Sequence, residues 1–382
     1  MSALKPLSVI NYNINNKKRF VTSIISVFVA VVFIYVFYSL LASLNSSVHF
    51  ITVENYKNHS EVTEYSKSEP IEDDILKTLE DNKDVDKLVP FMNYGLRYSV
   101  PGTITQVDAL ALRSSDMSYV MNEYGASIKE GRLPEEGKNE IAIYDKVALN
   151  KKVKLGDKVG SSINQFDNLN GEYKIVGILK GNTMLSIVSA NDSTMPNYAD
   201  EQQNLHRGIL IFPKEGKLEN VNSTVENLDQ GKVKLMTLNF AQKEFDSSMN
   251  IMSVLDIICL LSIILMVITV GSTKYVHFFN RREELGILNA MGYSKKEILV
   301  RAIKEVAALN GIAYLIGLAA AIGISCLMAQ NMFDSKGAIG IVINRKSIIM
   351  SLYIPLFTTL FTVVPINMMI NKLDPIKMIE SN

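Results

Sequence analysis

Cysteine and histidine are scarce in this chain of 382 residues, which has two of the first and four of the second. Both cysteines, Cys259 and Cys326, fall inside long apolar runs, so the polar part of the chain has neither a disulfide framework nor a thiolate metal knuckle. The histidines, His49, His59, His206 and His277, are scattered, and none stands in an H-E-x-x-H arrangement. There is no G-x-S-x-G nucleophile elbow. Each Gly-Lys pair continues into Asn139, Leu218 or Val233, not into the Ser or Thr that completes a phosphate-cradling G-x-x-x-x-G-K-[S/T] loop. Nothing here has the signature of an enzyme, and binding or force transmission is the expectation. A net charge is missing too: 39 basic residues face 39 acidic ones.

What the chain has instead is long apolar segments. A bilayer core of ~30 Å needs ~20 apolar residues at ~1.5 Å each, and four segments meet that length. Residues 20–44, 306–333 and 347–371 carry no charge, and residues 251–273 carry only Asp256, near one end. The predicted fold is a membrane protein of four transmembrane α-helices, with a large mixed α/β extracytoplasmic domain, residues 45–250, inserted between helices 1 and 2. The uncharged first segment is about twice the usual ~7–15-residue signal core, so it is read as a span and not as a cleaved leader.

Orientation follows from the basic residues that flank the spans. Lys5, Lys17, Lys18 and Arg19 precede the first span. The connection of residues 274–305 holds Lys274, Arg281, Arg282, Lys295, Lys296, Arg301 and Lys304. The insert has 23 basic and 31 acidic residues, so the overall neutrality hides opposite charge on the two faces. Both termini (1–19 and 372–382) and the 274–305 connection are therefore expected in the cytoplasm. Lys336, Arg345 and Lys346, in the short outer loop 334–346, run against the rule but are outweighed by span parity.

The insert reads as mixed structure. Ile71, Ile75, Leu76 and Leu79 share one face of a helix starting near Pro70. Strand-like alternation occurs in residues 86–91, 140–144, 173–179, 208–212 and 232–238, punctuated by Gly, Pro and Asn. Residues 181–204, rich in Asn, Ser, Asp and Met, are expected to form one long loop.

Residues 281–292 are the most specific stretch. Leu285, Leu288 and Met291 recur at i, i+3 and i+6 and draw an apolar strip along a short helix whose other side is Glu284, Ile287 and Asn289. Gly292 stands where a left-handed cap would end that helix. Ser294-Lys295-Lys296-Glu297 is a capping-box sequence, so a second helix should start there and run into the third span.

This stretch resembles the MacB/FtsX family of ABC-transporter permeases, also called type VII ABC transporters. The family pattern is matched by Arg281, Arg282, Glu284, Leu285, Gly286, Ile287, Leu288, Ala290, Met291 and Gly292, while Asn289 replaces a residue that is usually basic. The insert is similar to the family's periplasmic core domain in Gly131-Arg132-Leu133-Pro134, in Glu140-Ile141-Ala142-Ile143, in Gly156-Asp157-Lys158-Val159 and in Tyr173-Lys174-Ile175-Val176-Gly177-Ile178. The tail is similar in Pro365 and Asp374-Pro375-Ile376, and the family's permease domain would span about residues 251–375. The resemblance implies that ATP and Mg are bound by a separate ABC ATPase subunit and that no cofactor sits on this chain. It also implies that the short helix, including Arg282, Glu283 and Glu284, is a coupling helix, with Leu285, Leu288 and Met291 in an apolar groove of the ATPase.

In the third span Ala313, Gly317, Ala321 and Ser325 form a small-residue stripe suited to close helix packing, within one subunit or between two. Pro355 and Pro365 fall in the fourth span. Asp256, about two turns from the outer surface, is expected to be hydrated. The expected activity is that of a permease subunit in an ATP-driven exporter working by mechanotransmission in a bacterial cell membrane, with antimicrobial peptides, macrolide-like amphiphiles or lipoproteins as cargo. Its expected partners are the ATPase, a second permease subunit (identical or paralogous), membrane lipid and an extracytoplasmic adaptor or hydrolase, with no nucleic acid. The alternatives are an FtsX-like signalling subunit that switches an external cell-wall hydrolase, and a membrane-tethered receptor without an ATPase.

Overall fold

The computed structural model describes residues 17–65, 71–190 and 206–371. Pro70, the tail motif Asp374-Pro375-Ile376, Lys5 and most of the expected 181–204 loop lie outside the described residues. The chain divides into two compact units. One comprises α1 as far as Ala42, Ile251–Met328 and the chain from Ile341; the other is Ser43–Asn250 together with Ala329–Gly340.

The first unit is a bundle of long apolar helices: α1 (Lys17–Thr52), α7 (Asn250–Phe279), α9 (Lys295–Met328) and α10 (Arg345–Asn371). All four are long and apolar enough to cross a membrane. Their shared core joins Val27, Val31 and Ile34 of α1 to Ile263 and Val267 of α7, Ala313 of α9 and Ile354 of α10. The helix α10 runs through both Pro355 and Pro365. Each proline removes one backbone donor, which in lipid demands a neighbour able to satisfy freed polar groups. Buried Asn310 of α9 supplies one such link, donating to Thr359 Oγ1 at 2.8 Å and to the Pro355 carbonyl at 3.3 Å.

The second unit is an α/β domain. Its strands are β1 (Ser60–Glu64), β2 (Val85–Val100), β3 (Thr103–Leu112), β4 (Ala126–Gly131), β5 (Glu140–Tyr144), β6 (Lys158–Val159), β7 (Tyr173–Gly181), β8 (Ser186–Ser189), β9 (His206–Pro213) and β10 (Val233–Met236). They form one sheet in the order β10-β1-β9-β2-β3-β8-β5-β7-β4, with β6 beside β7. The pairs β3/β8 and β5/β7 are parallel and the rest antiparallel. The helices are α2 (Asp73–Glu80), α3 (Ser114–Glu123), α4 (Asp145–Lys151), α5 (Leu218–Glu226) and α6 (Leu238–Ser248).

The two faces of the sheet are covered separately. Successive residues of a strand point to opposite faces, and Leu210 and Ile211 of β9 accordingly enter different cores. Leu210 packs with Phe91, Leu112 and Ile187 against Met117 and Val120 of α3. Ile211 packs with Val62 against Ile75 and Leu79 of α2 and Val221 and Val225 of α5.

The segment expected to be one loop, residues 181–204, contains β8, whose Ser186, Ile187 and Val188 are buried. Its core is a four-residue strand between β3 and β5, too short to show a period. The strand expected over residues 86–91 extends to Val100 and turns at Pro101 and Gly102 into β3.

Candidate functional site

The segment singled out in the sequence folds as the helix α8 (Arg282–Ala290), between α7 and α9. Glu283 and Glu284 occupy its first turn, where negative charge complements the helix dipole. Its other end closes as a helix with a left-handed glycine does: Gly292 has φ +100°, and the Tyr293 N–H donates to the Leu288 carbonyl at 3.2 Å. The capping box follows directly. Ser294 N–H donates to Glu297 Oε2 at 2.8 Å, and Glu297 N–H returns a bond to Ser294 Oγ at 3.3 Å.

The faces of α8 correct the expected use of its apolar strip. Leu285 and Leu288 are buried, in one core with Phe278 of α7, Ile298, Ala302 and Val306 of α9, and Ile366, Met369 and Ile370 of α10. They face this chain's own bundle and offer nothing to a partner. The exposed apolar residues are Ile287 and Met291, 59% and 62% exposed, with Tyr293 beyond them. Glu283, Arg282 and Ala290 are exposed as well, while Gly286 is buried. A strip at i, i+3 and i+6 announces that a helix has a covered side, but the period does not say what covers it.

An ion pair unforeseen in the sequence holds this corner. Arg281, 7% exposed, donates from Nη1 to Glu305 Oε1 at 2.7 Å and from Nε to Glu284 Oε2 at 3.2 Å. Glu305 of α9 is itself buried. A buried carboxylate and guanidinium stabilise each other only when paired and hydrogen-bonded, so α8 is tied to α9 at the residue that precedes its first turn as well as through its leucines. The signal available beforehand was Glu305 alone, an acid adjoining the uncharged run of the third span. Arg282 stacks over Phe279 at 4.7 Å and stays at the surface. Lys295 Nζ donates to the Asn371 carbonyl at the end of α10, at 2.9 Å.

The small-residue stripe packs within the chain. Ala313, Gly317, Ala321 and Ser325 are all buried. A Cβ placed on Gly317 would stand 3.1 Å from Val31 Cγ1 and 3.4 Å from the Phe28 carbonyl of α1. Close approach of two apolar helices is what small residues permit in lipid.

Residues 257–375 match the family model described as FtsX-like permease C-terminal. Together with four apolar helices and an α/β insert between the first two, this makes the chain a multi-pass membrane protein that is similar to ABC-type permeases of the FtsX/MacB kind. Among curated proteins, the chain is 24% identical over 301 residues to a "putative hemin transport system permease protein HrtB" of Staphylococcus epidermidis, covering 78% of this chain and 79% of that one. The same protein of a second strain of that species matches over the same length at 24%. Among solved structures, the periplasmic region of MacB from Actinobacillus actinomycetemcomitans is 13% identical, covering 50% of this chain and 94% of that one at a TM-score of 0.30. The extracellular domain of the noncanonic ABC-type transporter YknZ from Gram-positive bacteria is 15% identical, covering 47% and 100% at a TM-score of 0.29.

Proposed function

We propose that the chain is the membrane subunit of an ATP-driven exporter that works by mechanotransmission. A separate ATPase, which binds ATP and Mg, docks on the exposed face of α8, and its closure moves the bundle. In this reading both termini and α8 lie in the cytoplasm, the insert lies outside, and two permease copies meet the two halves of an ATPase dimer. The observation that carries the reading is the division of α8 into two faces. Leu285 and Leu288 are set into α9 and α10, and Ile287, Met291 and Glu283 are left outside. A force applied to the outer face is therefore delivered to two long helices and not absorbed by a loose loop.

The cargo is an amphiphile taken from the outer side of the membrane. Antimicrobial peptides, macrolide-like compounds and lipoproteins fit that description, and the name carried by the staphylococcal relatives adds hemin, a flat apolar ring with carboxylate arms. Native complexes purified through this chain, with mass spectrometry of what copurifies, test the partnership. The expected result is an ABC ATPase whose turnover in the complex rises with one of these amphiphiles. A chain that purifies without an ATPase would overturn the exporter reading.

A further inference from the structure

A cleft of about 260 Å³ opens in the inserted domain between β2, α4 and the loop that follows β6. Its floor is preformed. Asp167, 3% exposed, accepts from the Arg97 N–H at 2.8 Å and from Lys151 Nζ at 2.6 and 2.9 Å. Asn150 clamps Ser99 from both sides, accepting from its N–H at 3.0 Å and donating to its carbonyl at 2.7 Å.

The charges at the cleft do not cancel. Lys151 is matched by Asp167, and Lys158 by Glu172 at 2.5 Å. Among the described residues no carboxylate lies within ion-pair distance of the Arg97 guanidinium, which stands 4.7 Å over the ring of Phe166. A stacked guanidinium keeps its edge donors free in a planar fork that fits a phosphate or carboxylate. Beside it the surface is apolar: Ile163 and Phe166 are 57% and 54% exposed, and Val153 and Val159 line the interior.

One unmatched fork next to uncovered apolar side chains complements a molecule with an anionic head and an apolar body. Inorganic phosphate would leave Ile163 and Phe166 wet. A polyanion would find one spare cation. The volume accepts a head group and a few carbons, below the ~300–1,000 Å³ of pockets that enclose drug-sized ligands. Within the same unit, Asn150 Nδ2 also donates to the Lys336 carbonyl at 2.7 Å, and Lys146 of α4 stands 4.5 Å over the ring of Phe50. Both contacts hold α4, and with it one wall of the cleft, inside this unit.

We infer that this cleft binds the phosphate or carboxylate head of an anionic amphiphile, gripped by Arg97, with the apolar body against Ile163 and Phe166. That the bound amphiphile is cargo rests on the exporter reading; the binding does not, and its test involves neither ATPase nor transport.

The chain has no tryptophan, so Phe166→Trp in the full-length protein places a single indole at the cleft. In nanodiscs of zwitterionic lipid, titration with octyl phosphate is expected to give a saturable change in its emission, and octyltrimethylammonium none. Inorganic phosphate should bind roughly ten-fold more weakly or worse, for want of the apolar contact. Adding Arg97→Gln, which keeps the backbone bond to Asp167, should weaken octyl phosphate by roughly ten-fold or more, as loss of a charged hydrogen bond does. Ile163→Ser serves as a second variant should Arg97→Gln lower the thermal midpoint. If nanodiscs with phosphatidylglycerol give the same emission unaided and block octyl phosphate, the site holds and a bilayer lipid fills it. No saturable change, an equal response to the cationic amphiphile, or titrations unmoved by both substitutions would overturn the inference.

Discussion

Lys346 Nζ donates to both carboxylate oxygens of Asp256, at 2.9 and 2.7 Å, joining the start of α10 to the second turn of α7. Asp256 is the one charge in the second apolar run, and Lys346 is one of the three basic residues, with Lys336 and Arg345, that run against the charge rule. Each accounts for the other. The ammonium also lies 5.2 Å over the ring of Tyr38 on α1, so three helices meet at this pair. Both side chains remain partly exposed, at 40% and 47%, which keeps the net gain small. Lys346→Glu should lower the thermal midpoint of the purified protein slightly, by the equivalent of under about 1 kcal/mol. The exchange Asp256→Lys with Lys346→Asp should restore most of it. A double variant no better than Lys346→Glu alone would show that the pair is incidental.

If an ATPase docks on α8 as proposed, the two faces of the helix separate docking from folding. Leu288→Asp would bury a carboxylate without a partner in the core shared with α9 and α10, at a cost of several kcal/mol. Reduced membrane levels and a lower thermal midpoint are expected. Met291→Asp changes an exposed side chain and should leave both unaltered while releasing the ATPase from the complex. An ATPase retained at wild-type level by Met291→Asp and by Ile287→Asp would place its docking surface elsewhere.

Gly317→Leu should destabilise the single chain, not only an assembly of chains. The added side chain would enter space held by Val31 and the Phe28 carbonyl. Overpacking of this kind typically costs ~1–3 kcal/mol. Thermal unfolding of the dispersed monomer is the measurement, and an unchanged midpoint would mean that α1 and α9 separate without loss.

The membrane part of this fold was legible because lipid imposes a length and forbids charge, and both can be counted along a sequence. The α8 corner was legible in outline for a similar reason, since a capping box and a left-handed glycine are local features. Which way Leu285 and Leu288 point was not, because burial depends on how α9 folds back on them and on α10 at the far end of the chain. In the insert, β3 was missed: Ala109, Leu110, Ala111 and Leu112 favour helix on propensity alone, and pairing with β2 and β8 overrides it. The edge strand β4 was missed because all but its first residue is exposed, leaving no apolar alternation to detect. Arg97 and Phe166 lie 69 positions apart, and nothing local announces that they stack.

Acid and base should act on different residues of the inserted domain. Burial, reinforced by the neighbouring Asp108 carboxylate, raises the Glu61 carboxyl on β1 to about 8. Burial also raises Asp108, against the opposing hydrogen bond from Asn93 at 2.7 Å. The buried His59, whose Nε2 lies 2.9 Å from the Tyr124 hydroxyl, is lowered to about 3 by burial. A carboxyl that holds its proton more tightly when folded contributes stability that is complete below the unfolded value near 4.3 and is lost as pH rises to about 8. A histidine that resists protonation when folded contributes stability that is complete above about 6.5 and is lost as pH falls. Between pH 6.5 and 8 only the carboxyl effect operates. Unfolding of the inserted domain in the full-length protein, followed by calorimetry, should therefore show a midpoint that falls across this interval. Glu61→Gln keeps the neutral form that the fold prefers and should flatten the fall. A wild-type midpoint that holds steady or rises from pH 6.5 to 8 would show that Glu61 is ionised in the folded domain.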